Sequence, residues 1–99
     1  MIEPRDHVEN WLRQHQTRIG VPASKWQRSE LHAEMFNAWY ETEKYLIDIC
    51  CWNHACCLDI IALNKQSKTE DFIVAGDCDG LEGLSERLAY FENWLEENR

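Results

Sequence analysis

A chain of 99 residues fits one domain, and its 44% apolar residues are spread along most of its length, so the disordered class, in which charge outweighs burial capacity, is a poor fit. The formal net charge of -8 is uneven: residues 1 to 29 carry five Lys/Arg against three Asp/Glu, and residues 30 to 99 carry five against fifteen, a balance of -10. Such a field repels phosphate backbones and anionic lipid and attracts basic protein surfaces over a Debye length of about 10 Å, although surplus acid also serves plain solubility. The longest apolar stretches are broken by Asp48 and Asp59, short of the roughly twenty residues a membrane helix needs. MIEPRDHVEN lacks the apolar core of a signal peptide, so the expected compartment is the cytoplasm. There, five cysteines default to free thiols, and their odd number prevents complete pairing.

The first element is an amphipathic helix. Val8, Trp11, Leu12, His15 and Ile19 recur at helical spacing, Pro4 sits where a first turn tolerates it, and Asp6 and Glu9 lie near the positive end. Gly20 and Pro22 stop it, and GVPASKWQ reads as a linker whose Trp26 covers a core edge. SELHAEMFNAWYETE fits two periods: Leu31, Met35, Ala38 and Trp39 suit a helix face, while Leu31, Ala33 and Met35 alternate as in a strand. The strand is preferred because KYLIDICCWNHACCLDIIALN follows, two runs of β-formers around a turn-like Asn53-His54. A lone hairpin is marginal, so a third strand beside it is wanted. After the polar NKQSKTE, DFIVAGD supplies a fourth.

Asp79 stands three residues before Glu82, a capping-box spacing, and Leu81, Leu84, Leu88, Phe91 and Leu95 then mark one face of a long helix. The sequence therefore predicts a single domain over residues 1–99 with an α+β fold: a four-stranded antiparallel meander sheet flanked by an N-terminal and a C-terminal helix, in the order α-β-β-β-β-α.

The stretch CCWNHACC admits three readings: metal site, disulfide site, or hairpin tip with small apolar residues. With Asn53-His54 as the turn, Cys51 faces Cys56, Cys50 faces Cys57 and Asp48 faces Asp59. Each adjacent cysteine pair is then split between the two sides of the sheet. Four thiolates cannot meet one zinc from that arrangement, and the best remaining metal set is Cys51 and Cys56 with His54 or Cys78. Free cysteine as a small buried hydrophobe fits better. One face then carries Tyr45, Ile47, Ile49, Cys51, Cys56, Leu58, Ile60 and Ala62, the expected core side. The other carries Leu46, Asp48, Cys50, Trp52, Cys57, Asp59, Ile61 and Leu63, apolar with two facing acids. Like charges directly opposite destabilise a sheet by up to about 1 kcal/mol unless a cation is near. Lys44 or an arginine of the first helix would supply one internally; otherwise a partner does. The second face is thus a candidate partner-binding surface, with Asp48, Trp52, Asp59, Leu46 and Ile61 on the hairpin and Trp39, Glu41 and Glu43 on the run before it.

No glycine-rich phosphate loop, nucleophile elbow, HExxH or CxxC occurs, and His7, His15, His32 and His54 are scattered. Cys56 or Cys57 with His54 imitates a thiol-imidazole pair, but neighbours on a tight turn rarely share its geometry. Five tryptophans would suit base stacking, against which the acidic field argues. The residues imply neither catalysis nor a cofactor, metal, nucleic acid or membrane.

NWLRQH in the first helix, the acid-studded meander with DICCWNHACCLDII, and the terminal LEGLSERLAYFENWLEE together resemble the TriTu family. Its members are immunity proteins encoded beside Rhs polymorphic toxins delivered by type VI secretion. The likeness is one of element pattern and carries over no site residue. It implies a noncatalytic inhibitor of a cognate ADP-ribosyltransferase toxin, bound through a basic cleft, that protects elongation factor Tu of the producing cell. A generic acidic adaptor and a cysteine-based metal protein are the alternative classes.

Overall fold

The computed structural model describes residues 3–19, 26–29, 35–52 and 56–98. Helix α1 (Pro4–Ile19) leads into strands β1 (Trp26–Ser29), β2 (Met35–Glu41), β3 (Tyr45–Trp52), β4 (Cys57–Asn64) and β5 (Glu70–Val74), and helix α2 (Gly80–Glu97) closes the chain. Among the described residues the strands form one antiparallel sheet in sequential order, β1 to β5. The expected meander between two helices is present as β2 to β5. β1 is an addition: Trp26 and Gln27 of the expected linker pair with Ala38 and Asn37. Its four residues WQRS have no apolar alternation to betray a strand; the open edge of β2 supplies the partner that local pattern does not. The expectations that rest on Leu31, Ala33, Asn53, His54 and the side chains of Ile19 and Trp26 lie outside the described residues.

Alternation fixes which side of the sheet is buried. Tyr45, Ile47, Ile49 and Cys51 of β3 and Leu58, Ile60 and Ala62 of β4 all face the core, as the period of two requires. β2 contributes Phe36 and Ala38 and β5 contributes Phe72. Met35, in the apolar set of the Leu31-Ala33-Met35 alternation, is on the other parity and only half-buried. Both helices cover this one side: α1 packs on β2 and β3, α2 on β4 and β5, and the helices on each other. Their buried stripes are Val8 and Leu12 on α1 and Leu84, Leu88, Phe91 and Leu95 on α2. Rings close the β5 end of the core, with Phe72 centred 5.0 Å from Trp94 and 5.5 Å from Phe91 and Tyr45 4.9 Å from Trp94. Between the helices, His7 Nε2 and Ser85 Oγ share a 2.7 Å hydrogen bond.

Two local expectations are corrected. The β3–β4 register pairs Cys51 with Leu58, Cys50 with Asp59, Trp52 with Cys57 and Asp48 with Ile61. Four residues, not two, therefore separate the strands, with Cys56 at φ +46 turning the chain back. The slip is by two residues, so every side chain keeps its predicted face while every cross-strand partner changes. Asp79 does precede α2 as its cap residue, but its carboxylate makes no capping bond; its carbonyl accepts the Gly83 N–H at 3.1 Å instead.

At the β4–β5 turn, Asn64 Oδ1 accepts the Gln66 and Ser67 amides at 2.9 and 3.1 Å. A bulge after Ala62 lets β5 continue out of step, and Asp71 there accepts bonds from Thr69 (2.6 Å), Asn64 (3.0 Å) and Tyr45 (3.4 Å). Those donors, Thr69 foremost and then Asn64, hold its carboxyl below the ordinary value.

Phe91→Ala should cost about 3–5 kcal/mol, read from urea denaturation, because it empties the junction of α2 and β5. The depressed Asp71 carboxyl contributes stability that is complete above its unfolded value of about 3.9 and is lost as pH falls through the lower folded value. Asp71→Asn should therefore flatten the acid limb of the stability profile below about pH 4 and leave its shape near neutrality unchanged.

Candidate functional site: the open face of the sheet

Because α1 and α2 occupy one side, the opposite side of the sheet carries no covering element among the described residues. Register places its side chains in rows across the strands. Met35, Trp52 and Cys57 form one row, and Asn37, Cys50 and Asp59 the next. Trp39, Asp48, Ile61 and Ile73 form the third, and Glu41, Leu46 and Leu63 the fourth. Six expected residues of the hairpin and β2, namely Trp39, Leu46, Asp48, Trp52, Asp59 and Ile61, thus share one surface, and Glu41 ends its outer row. Glu43 does not join them. It is exposed in the β2–β3 turn, beside a groove of about 280 Å³ lined also by Lys44, Tyr45, Asn64, Lys65 and Gln66.

Ile73 and Asn37 belong to the surface and were not singled out in the sequence. Ile73 is 55% exposed and Trp39 43%, an unusual placement for large apolar side chains in one cross-strand row. The signal for Ile73 was the alternation of DFIVA, in which Phe72 and Val74 turn inward and leave it outside. Asn37 has no such signal, since its role arises from a strand 11 residues away.

That role concerns the two acids. With the register corrected, Asp48 and Asp59 are diagonal neighbours, about 7–8 Å apart at their backbones, and the direct like-charge penalty falls away. Each is held by a neutral donor: Asn37 Nδ2 donates to Asp48 and the Gly76 amide to Asp59 at 3.0 Å. Neither takes part in an ion pair among the described residues, where Arg5 meets Glu3, Arg13 meets Glu9, His15 meets Glu92 and Lys65 meets Glu41. Internal neutralisation by Lys44 or an α1 arginine is therefore not what the structure shows. The face combines aromatic and aliphatic area with two carboxylates that meet no cation among the described residues and are held by neutral donors.

Burial holds the thiols of Cys50, Cys51 and Cys57 in the protonated form. Burial pushes Cys50 up to about 11, and the nearby Asp48 and Asp59 carboxylates and Cys57 add to the shift. Burial likewise pushes Cys51 up to about 12 and raises Cys57, with Asp59 next in effect. All five cysteines are free. Cys51, Cys56 and Cys78 pack on the inner side of the sheet, but among the described residues no three His, Cys, Asp or Glu side chains are arranged to hold a metal ion. The His7–Ser85 pair is an inter-helix contact, and neither residue lines the groove beside Glu43 or the one between β5 and α2.

Comparison of the chain with protein-family models, with curated proteins and with solved structures finds no match.

At pH 7 a thiol titrating near 11 is thiolate in only about one molecule in ten thousand. Cys50, followed by peptide mapping, should alkylate with iodoacetamide far more slowly than an ordinary cysteine, and the rate should climb about tenfold per pH unit. Asp48→Asn with Asp59→Asn should speed it. Labelling at the ordinary rate would place this thiol outside the environment described.

Proposed function

We propose that this chain is a noncatalytic, cytoplasmic immunity protein that uses the open face of its sheet to bind and inhibit a basic protein toxin. The observation that carries the reading is the uncovered face itself: exposed Trp39 and Ile73 beside Asp48 and Asp59, which have polar partners but no cation among the described residues. Five strands at about 4.8 Å and about 25 Å of strand length span roughly 600 Å² in projection. With side-chain relief and a rim this approaches the ~800 Å² per partner of a stable complex. Apolar and aromatic side chains supply area at the centre, and the carboxylates select a basic surface and raise the association rate.

The balance of -10 over residues 30 to 99 favours a basic protein over nucleic acid or an anionic membrane, and no helix is long and apolar enough to cross a membrane among the described residues. The resemblance to TriTu supplies the partner class: the ADP-ribosyltransferase domain of a neighbouring Rhs toxin, whose blockade protects elongation factor Tu. NAD then binds the toxin, and this chain excludes substrate by occupying the cleft. Cys50 and Cys51, held in the protonated form by burial, support binding over thiol chemistry at this face.

Coexpression with the C-terminal domain of the adjacent Rhs toxin should restore growth, and the purified pair should form a stoichiometric complex unable to modify elongation factor Tu. Asp48→Lys with Asp59→Lys should weaken the complex by about 2 kcal/mol, roughly thirty-fold, and slow association most at low salt. The isolated variant should stay folded, because both side chains lie outside the core, with a modest loss of stability where the Gly76 amide loses its acceptor. Equal inhibition by that variant would move the interface elsewhere on the molecule. Removal of ADP-ribose from already modified elongation factor, with no toxin complex, would make the protein an enzyme and end the proposal.

A further inference from the structure

The geometry points to Cys56 and Cys78 as a disulfide-forming pair, an oxidation site that ties the start of β4 to the segment leading into α2. Cys57 and Asp77 form an isolated antiparallel bridge. It is flanked by the bond from Leu58 N–H to Gly76 O at 3.1 Å and the bond from Cys78 N–H to Cys56 O at 2.9 Å. One step out along that ladder, Cys56 and Cys78 lie directly opposite each other. Directly opposed residues of an antiparallel pair have Cα atoms about 4.5–5.5 Å apart, within the roughly 4.4–6.8 Å that a disulfide accepts. Both side chains pack against the core from the same side.

Register and face disfavour two combinations within the hairpin. Register opposes Cys50 to Asp59 and Trp52 to Cys57, so Cys50 and Cys57 are diagonal, at about 7–8 Å, beyond disulfide reach without backbone movement. The sequence neighbours Cys50 and Cys51 point to opposite faces. Opposed Cβ atoms of a ladder start about 1 Å wider than a disulfide wants. Cys56 can give that distance because it precedes β4, at φ +46, in the connection rather than in the strand.

With glutathione disulfide as the oxidant, the thiolate of either cysteine attacks one of its sulfurs. A mixed disulfide forms and one glutathione thiol leaves. The second cysteine's thiolate then attacks the protein-side sulfur, closes Cys56–Cys78 and releases the second glutathione thiol. Two protein thiols and one glutathione disulfide become one protein disulfide and two glutathione thiols, with two electrons passed to glutathione. The bond encloses the chain from Cys56 to Cys78, containing β4, the turn and β5, and restricts that segment in the unfolded chain. This inference is independent of the docking reading.

The test uses the full reduced chain, incubated with glutathione disulfide, quenched in acid, alkylated and mapped by mass spectrometry. The expected product has two fewer alkylatable thiols and one cross-linked peptide pair joining Cys56 to Cys78, and its melting midpoint is raised by about 10 °C. Cys56→Ser and Cys78→Ser should each abolish the cross-link, and Cys50→Ser should keep it. A cross-link at another pair in the unmutated chain, or glutathione adducts at Cys56 or Cys78 that never resolve to the cross-link, would overturn the assignment.

Discussion

One layer of side chains carries the rest of this molecule. Phe36, Ala38, Ile47, Ile49, Cys51, Leu58, Ile60 and Ala62 on the sheet meet Val8, Leu12, Leu84, Leu88, Phe91 and Leu95 on the helices, all essentially without solvent contact. A sheet has two faces and a period of two, so filling this layer commits every alternate residue of β2, β3 and β4 to the opposite side. Chains of this size rarely cover both. The outward set is therefore a by-product of the inward one, and what the protein presents to other molecules is decided by the residues that the core leaves over.

Those residues are not the solvated polar set that a half-buried antiparallel sheet ordinarily shows. Trp39, Leu46, Trp52, Ile61, Leu63 and Ile73 make the exposed side rich in apolar area, and Asp48 and Asp59 interrupt it. A surface of that kind left open to water favours edge or face association unless charge opposes it. The two carboxylates oppose self-association of this face by like-charge repulsion. Their neutral supports, Asn37 for Asp48 and the Gly76 amide for Asp59, hold them in place without cancelling the charge.

Arg87 of α2 donates to the carbonyls of Leu58 at 2.7 Å and Gly76 at 2.9 Å, so a helix cation serves acceptors at the sheet margin, adding a second donor at Gly76, whose carbonyl already accepts the Leu58 N–H. The Gly76 backbone thereby joins β4, α2 and Asp59 at one point. The connector is consequently part of the architecture behind the open face, and Asp59 and the Cys56–Cys78 pair both depend on where it lies.

Periodicity was enough for the two helices, for β3, β4 and β5 and for the division of β3 and β4 into an inner and an outer face, since each follows from spacing that the chain carries locally; β2, whose run fits two periods, followed from the need of the hairpin for a neighbouring strand. It also marked Leu46, Asp48, Trp52, Asp59 and Ile61 as one surface, because parity survives a register shift of two, whereas Trp39 joined them through the pairing of β2 with β3. Tertiary structure decided what parity cannot see. The length of the β3–β4 connection set whether Asp48 meets Asp59 or Ile61, and the free edge of β2 drew WQRS into the sheet as β1. Asn37 became a support for Asp48 only through pairing of β2 with β3, and Cys78 reached Cys56 only through the bridge at Cys57 and Asp77. Each of these depends on contacts between distant residues, whose partners are selected by which edges and backbone groups remain unsatisfied once the core has formed, and no local spacing in the sequence encodes that selection.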